Sequence, residues 1–262
     1  MSELSPIVVV SSSPRAGSTL LQRLLCSSEN TLIYGDTVGQ EVEYQVSYAV
    51  TRCQMLNQHV SHMQGMRQGV IEGRDDEFIS SLIPEKGRYV KALQQSALSW
   101  LGVCHADAMD AGRELWGWKL AGVQAFALEQ IAKWMPLAKF VTLERNLEDA
   151  VKSAKAVGLI ACDEGLKHFC QQWLSGRQVF SSLSVSDPDR VISFNYDSMI
   201  AQPAETVALL EAFTGARNIR EDVFSRKINA AFTDSPKAPA VLTAHEQDVV
   251  RSYMNIKPSQ VA

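Results

Sequence analysis

The sequence predicts an α/β fold: a doubly wound parallel sheet with a P-loop-like phosphate-binding loop and a helical cap insertion. The first supporting observation is Ile7–Val10, an apolar β-branched run of the kind found in strands buried on both faces. Small residues follow this run, and then a helical stripe of leucines begins. The second observation is the repeated alternation of short apolar strands with helices of about 10–15 residues. No repeat or low-complexity linker interrupts this alternation, so residues 1–262 are predicted to form a single domain.

The opening unit is a strand at Ile7–Val10, a loop through Ser11–Thr19 and a helix carrying Leu20, Leu21, Leu24 and Leu25. The further predicted strands are Thr31–Tyr34, Leu115–Lys119, Lys139–Leu143 and Val191–Phe194. The further predicted helices are Val123–Trp134, Asn146–Val157, Asp163–Leu183, Pro203–Thr214 and Ala244–Met254, with Pro236 and Pro239 marking a loop before the last one.

A long helical block separates the second strand from the third. Helical patterns cover Val38–Arg67 and Tyr89–Met109, and the block from about 38 to 112 is longer than a simple crossover. We interpret it as a helical cap over the sheet and expect acceptor recognition there.

Composition and charge exclude several classes of protein. The chain is 46% hydrophobic and 21% charged, with a net charge of −4, so no overall positive field would attract nucleic acid or an anionic membrane. Ile7–Val10 is too short for a membrane span or a secretory segment, and no Lys or Arg precedes it. Five cysteines without a CxxC pair predict reduced, mostly buried thiols and a cytoplasmic protein.

The loop after the first strand nearly matches the P-loop pattern GxxxxGK[ST]. Ser12 replaces the first glycine and Ser18 replaces the lysine, whereas Gly17 and Thr19 fit. Without that lysine a kinase or triphosphatase is disfavoured. Backbone N–H groups of residues 16–19 (Ala16, Gly17, Ser18 and Thr19) at a helix N-terminus can still bind an anion, and Arg15 supplies a fixed charge.

The segment Pro14–Leu21 resembles the 5′-phosphosulfate loop of sulfotransferases that use 3′-phosphoadenosine 5′-phosphosulfate (PAPS). A second motif lies downstream, where Arg145 follows the strand Lys139–Leu143 and Ser153 lies eight residues beyond it. This pair resembles the 3′-phosphate motif of the same family. An arginine leaving a parallel strand is expected beside the ligand crevice, where guanidinium and hydroxyl groups suit a phosphate dianion.

The alternative for the second motif is an ordinary protein surface. Arg145 would then pair with Glu148 or Asp149, and Ser153 would face solvent. Two motifs in the family's order, each at a strand-to-helix junction, argue against this alternative.

Trp116–Lys119 resembles the strand that carries a catalytic lysine in the tyrosylprotein and carbohydrate branches of the family. Lys119 is therefore a candidate to neutralise charge on the sulfuryl group. The alternative is a strand-end lysine whose amine extends to solvent, and core packing explains Trp116 and Trp118 as well as ligand stacking does.

Gly35-Asp36-Thr37 resembles the element that carries the acceptor-deprotonating carboxylate in those branches, with Asp in place of the usual Glu. An ordinary turn aspartate is the competing interpretation. A histidine is the base in the cytosolic branch, and the candidates here are His59, His62, His105, His168 and His245; none follows a strand as that branch requires. No set of metal ligands is evident, so no metal is predicted.

Tyr196-Asp197 resembles the family's Tyr-Glu-Asp-Leu segment, whose tyrosine lies near the nucleotide, although Tyr196 could equally lie at the edge of the core. Arg226-Lys227 is similar to the basic end of the last nucleotide loop in the cytosolic branch, but the glycine-rich continuation is missing. The resemblance extends over about residues 7–214.

The resemblance implies transfer of a sulfuryl group from PAPS to a hydroxyl, or in second place an amine, of a small-molecule or peptide acceptor. Arg15 and Lys119 would neutralise charge and Asp36 would accept the proton. Arg15, the loop residues 16–19 and Tyr196 would bind the donor, with Arg145 and Ser153 on its 3′-phosphate. The alternatives are a non-catalytic nucleotide-binding relative and, third, a small-molecule kinase. Oligomeric state stays open.

Overall fold

Five parallel strands form the centre of the computed structural model, which describes residues 4–58, 60–74, 79–122, 125–226 and 240–256. The strands are β1 (Ile7–Ser11), β2 (Thr31–Tyr34), β3 (Leu115–Ala121), β4 (Lys139–Glu144) and β5 (Val191–Asn195). Their order in the sheet is β2-β3-β1-β4-β5, and every neighbouring pair is parallel. All five predicted strands are therefore confirmed, and four of them extend one or two residues further than predicted.

Eleven α-helices surround this sheet within the described residues. They are α1 (Ser18–Ser27), α2 (Asp36–Gln58), α3 (Val60–Ile71), α4 (Lys86–Ser99), α5 (Leu101–Asp110), α6 (Ala125–Trp134), α7 (Leu147–Ala156), α8 (Asp163–Ser186), α9 (Tyr196–Ala201), α10 (Pro203–Thr214) and α11 (Ala244–Met254). Short 3₁₀ turns occupy Pro188–Arg190 and Glu221–Ser225. The loop predicted around Pro236 and Pro239 lies outside the described residues.

The sheet is covered on both faces, as a doubly wound fold requires. Alternation along β1 sends Val8 and Val10 to one face, where they pack with residues of α2, α5, α6 and α8. Ile7 and Val9 face the opposite side and pack with α1 and α10. A third cluster joins α7, α8 and α11 beside the sheet. The predicted fold class is confirmed, whereas the single-domain assignment over 1–262 stays a prediction.

Within the described residues, the helical block between β2 and β3 comprises α2, α3, α4 and α5. Two of them, α2 and α5, pack against the sheet and contribute Val42, Val46 and Leu101 to its core. The predicted run Val38–Arg67 corresponds to helical residues of α2 and α3, with residue 59 outside the described residues, whereas the run Tyr89–Met109 is divided at Trp100. Trp100 keeps right-handed helical angles and is not a glycine or proline, so periodicity alone could not reveal this break.

Two further expectations need correction. The short helix α9 was not predicted; Asn195 caps it, and it ends before Pro203, which begins α10. All five cysteines are free, as predicted, but only Cys104 and Cys170 are buried, and Cys162 is exposed. Within the described ranges, every helix is too short or too polar to cross a membrane.

Candidate active site

The candidate site lies at the carboxyl edge of the sheet, between β1 and β4. The chain leaves β1 towards β3 and β2, whereas it leaves β4 towards β5 on the opposite side. The loops after β1 and β4 therefore diverge, and this is the position where open α/β sheets form a ligand crevice.

The loop after β1 has the backbone geometry of an anion cradle. Arg15 adopts a positive φ of 66°, and Gly17, the N-cap of α1, has a φ of 102°. No side chain caps α1, and its first turn contains no acidic residue. The positive end of the helix dipole is therefore not compensated by the helix's own side chains, which favours an anionic ligand.

Gly17 is required because Tyr196 packs directly against it. A Cβ atom at Gly17 would lie 2.4 Å from Cδ2 and 2.5 Å from Cε2 of the Tyr196 ring. The Arg145 guanidinium lies over the same Tyr196 ring, 4.5 Å from its centre. Tyr196 thus joins the loop after β1 to the arginine after β4.

Arg15, Arg145 and Ser153 contact one another although they are distant in sequence. Arg145 Nη1 donates to the Arg15 carbonyl at 3.0 Å, and Arg15 Nε donates to Ser153 Oγ at 3.3 Å. Arg145 Nε is buried without a hydrogen-bond partner. A buried guanidinium donor without a partner is costly unless a ligand accepts from it.

The alternative of a surface ion pair for Arg145 is wrong. Glu148 pairs with Lys152 at 2.7 Å, and its pKa is lowered by the hydrogen bond from that ammonium. Neither Arg15 nor Arg145 has a carboxylate partner within the described part of the chain, and Ser153 is half-buried against Arg15.

Lys119 is enclosed and does not reach solvent from a strand end. The strand continues to Ala121, and the Lys119 side chain is only 5% exposed. Its Nζ donates to Asp36 Oδ2 at 2.5 Å and to Thr19 Oγ1 at 3.3 Å. Asp36 Oδ1 accepts from the Ala121 amide at 3.1 Å. The lysine therefore connects the loop after β1 with the carboxylate after β2.

Close packing of α2 on β3 positions Asp36, which is the first residue of α2 and not a turn residue. A Cβ atom at Gly39 would lie 2.3 Å from the Lys119 carbonyl oxygen, so only glycine allows this approach.

At the end of β2, the Tyr34 hydroxyl donates to Asp107 Oδ2 at 2.6 Å. Burial and the Asp107 carboxylate raise the pKa of Tyr34, so this hydroxyl stays protonated and keeps the contact.

A cavity of about 460 Å³ collects these groups. It is lined by nine of the ten site residues predicted from the sequence; Ala16 is buried and does not line it. The lining residues are Pro14, Arg15, Gly17, Ser18, Thr19, Leu20, Asp36, Lys119, Ala121, Arg145, Ser153, Tyr196, Ile200, Phe224 and Arg226. Among the described lining residues, four carry cationic side chains and one carries a carboxylate, which suits a ligand with several negative charges.

Sequence reasoning missed part of this lining. Ile200 lies one helical turn after Tyr196 in α9, and Phe224 lies in a 3₁₀ turn without a periodic pattern. Arg226 lines the cavity and pairs with Asp222, whereas Lys227 lies outside the described residues. No described residue of the block from 38 to 112 lines the cavity, and acceptor recognition by that block stays a prediction.

The histidine candidates whose side chains are described do not line the cavity. His105 packs 5.7 Å from the Trp116 ring, whereas His168 and His245 are exposed. The residue His59 and the side chain of His62 lie outside the described part. Trp116 and Trp118 are buried in the core. Among the described residues, no three His, Cys, Asp or Glu side chains are grouped to hold a metal ion.

Comparisons with known proteins agree with this architecture. Residues 6–222 match the profile of the Sulfotransferase family. The sulfotransferase domain of the Synechococcus PCC 7002 olefin synthase is 17% identical, with a TM-score of 0.50 over 97% of this chain and 96% of that one. The sulfotransferase domain from the curacin biosynthetic pathway is 16% identical, with a TM-score of 0.53 over 96% and 98%.

At these identities the structural likeness concerns the fold alone. No curated protein matches the chain. The family profile spans most of the sequence and includes every cavity-lining residue named above except Phe224 and Arg226. The chain therefore belongs to the sulfotransferase family.

Proposed function

We propose that the chain transfers a sulfuryl group from PAPS to a hydroxyl group of a small-molecule or peptide acceptor. One observation carries this proposal: a single cavity contains the loop after β1, the Arg145 and Ser153 pair, and the Lys119–Asp36 ion pair. The first two features suit the two phosphate-bearing ends of the donor, and the third supplies the groups that transfer requires.

Donor binding is assigned to the groups between β1 and β4. Amides of residues 16–19 and the Arg15 side chain would hold the 5′-phosphosulfate. Arg145 and Ser153 would hold the 3′-phosphate, and the partnerless Arg145 Nε supports an acceptor at that place. Tyr196, Ile200 and Phe224 are aromatic and aliphatic residues of the lining and suit the adenine ring.

The transfer step is a displacement at sulfur, to which the donor brings the sulfuryl group. A bond forms between the acceptor oxygen and sulfur, and the bond from sulfur to the bridging phosphate oxygen breaks. Asp36 accepts the hydroxyl proton, while Lys119 and Arg15 neutralise charge on the sulfuryl and bridging oxygens. Because Lys119 holds Asp36 in this structure, its ammonium must turn to the donor before the carboxylate can serve as the base.

These cations perform the charge neutralisation that Mg²⁺ provides in kinases, so no metal is included in the proposal. The five free cysteines support the proposed cytoplasmic location, because a reducing compartment keeps thiols unpaired. The acceptor itself stays undefined beyond its hydroxyl group.

The decisive experiment compares nucleotides by thermal shift and calorimetry. We expect 3′-phosphoadenosine 5′-phosphate (PAP) to stabilise the protein by about 2.7 kcal/mol at one hundred times its dissociation constant. Adenosine 5′-phosphate and MgATP should bind more weakly. Stabilisation by MgATP but not by PAP would favour the small-molecule kinase. PAP binding without donor consumption across many hydroxyl acceptors would favour the non-catalytic relative, for which the closed Lys119–Asp36 pair is a structural contact.

Arg145→Ala is expected to weaken PAP binding at least tenfold more than adenosine 5′-phosphate binding. Removing a guanidinium from a phosphate costs about 1.5–3 kcal/mol, and only PAP carries the 3′-phosphate. Calorimetry with both nucleotides measures this difference. Arg190→Ala is the control, because Arg190 contacts Asp187 and backbone carbonyls away from the cavity. Equal losses of affinity for the two nucleotides would show that Arg145 does not bind the 3′-phosphate.

Gly17→Ala is expected to weaken binding of both nucleotides about tenfold or more. The positive φ costs roughly 1–2 kcal/mol for alanine, and the new methyl group displaces Tyr196. Gly158→Ala is the matched control: Gly158 also has a positive φ, of 79°, but nothing lies within 4 Å of the added Cβ. Calorimetry should show normal affinity for that variant. Normal affinity of Gly17→Ala would show that the loop does not hold the common 5′-phosphate.

A further inference from the structure

One face of α8 contacts the ends of three strands that carry the candidate site. Gln172, Trp173, Gly176 and Arg177 share this face because residues four apart are neighbours on a helix. Gln172 Nε2 donates to the Gly122 carbonyl, after β3, at 2.6 Å. A Cβ atom at Gly176 would lie 2.8 Å from Ser12 Cα, so the helix touches the loop after β1.

The same face fixes the junction after β4 with two side chains. Trp173 Nε1 donates to the Arg145 carbonyl at 3.0 Å. Arg177 Nε donates to Glu144 Oε2 at 3.0 Å, and its guanidinium lies 4.7 Å from the centre of the Trp173 ring. The Arg145 carbonyl and the side chain of the preceding residue, Glu144, are therefore both tied to α8.

This support matters because the Arg145 side chain has little else to fix it. Within the described residues its guanidinium makes one hydrogen bond, to the Arg15 carbonyl, and a ring contact with Tyr196. Only Arg145 and Asn146 separate β4 from α7. A shift of the Arg145 carbonyl would rotate the side chain in such a short junction, and small displacements of a ligating group weaken binding.

We propose that Trp173 is a positioning residue: its indole N–H holds Arg145 in the orientation that selects a nucleotide with a 3′-phosphate. This inference rests on the proposed function. Trp173 is 5% exposed and does not line the cavity, so it acts on the ligand only through Arg145. Removing the indole N–H while keeping an aromatic ring should thus change the preference between nucleotides more than the fold.

The test is Trp173→Phe, with calorimetry for PAP and for adenosine 5′-phosphate. We expect the dissociation constant for PAP to rise about fivefold, the effect of one hydrogen bond, with little change for adenosine 5′-phosphate. Trp100→Phe is the matched control, because Trp100 Nε1 also donates to a backbone carbonyl, that of Ala97, away from the cavity. That variant should keep the affinity ratio of the unmodified protein.

The outcomes separate this inference from the proposed function. If the unmodified protein does not prefer PAP, the proposed function fails, and the role of Trp173 fails with it. If the unmodified protein prefers PAP but Trp173→Phe keeps the affinity ratio, or weakens the binding of both nucleotides equally, only the role of Trp173 is overturned.

Should Trp173→Phe not fold, Arg177→Met tests the same support, since it removes the Glu144 contact and the contact with the indole ring. A lowered ratio in that variant supports the proposal, and an unchanged ratio overturns it.

Discussion

Lys119→Met is expected to lower the rate of sulfuryl transfer by about 10²- to 10³-fold, the usual effect of removing one donor that stabilises transition-state charge. The ammonium is enclosed at the edge of the cavity, where charge interactions are stronger than in water. Methionine keeps the length and the apolar stem of the side chain, and Asp36 remains partly exposed with its Ala121 contact, so the fold should survive. Single-turnover transfer from PAPS measures the loss.

Lys139→Met provides the matched control for this variant. Lys139 also belongs to a central strand, and its Nζ donates to the Phe213 carbonyl at 2.8 Å, but it does not line the cavity. We expect its substitution to lower thermal stability and to leave the transfer rate unaffected. A transfer rate in Lys119→Met equal to that of Lys139→Met would exclude the lysine from charge stabilisation.

The contact between Lys119 and Asp36 shows how far the sequence could predict the site. Each residue was recognisable, because each lies at the end of a strand pattern and resembles a family motif. Their pairing depends on β2 and β3 being neighbours in the sheet, which no local pattern encodes. The burial of Lys119 depends on two further strand residues and on the approach of α2 at Gly39.

The same limit explains why two residues of the cavity lining could not be predicted from the sequence. Arg15, Gly17 and Arg145 follow strands with strong apolar patterns, so their location at one edge of the sheet follows from parallel topology. Ile200 and Phe224 lie in a six-residue helix and a 3₁₀ turn, which are too short to produce a periodic signal. Side chains of this kind enter a site through tertiary packing, and only the three-dimensional structure identifies them.

Asp36→Asn is expected to lower turnover by about 10²-fold or more, the usual contribution of a general base, while PAP binding persists. The amide cannot accept the acceptor's proton. It also cannot accept two hydrogen bonds at two oxygens as the carboxylate does from Lys119 and Ala121, so part of the loss could come from a displaced lysine. Asp36→Glu separates the two effects, because it keeps the base and both acceptor oxygens on a longer side chain.

If Asp36 is the base, Asp36→Glu should retain much of the turnover that Asp36→Asn loses, with similar PAP affinity in both variants. Asp107→Asn is the control: this carboxylate accepts from Tyr34 near the end of β2 but does not line the cavity, so its substitution should leave turnover intact. Full turnover in Asp36→Asn would move the base to a group outside the described lining, since none of His105, His168 and His245 reaches the cavity. Equal losses in Asp36→Asn and Asp36→Glu would contradict the assignment of Asp36 as the base, because a carboxylate on the longer side chain should restore part of the turnover.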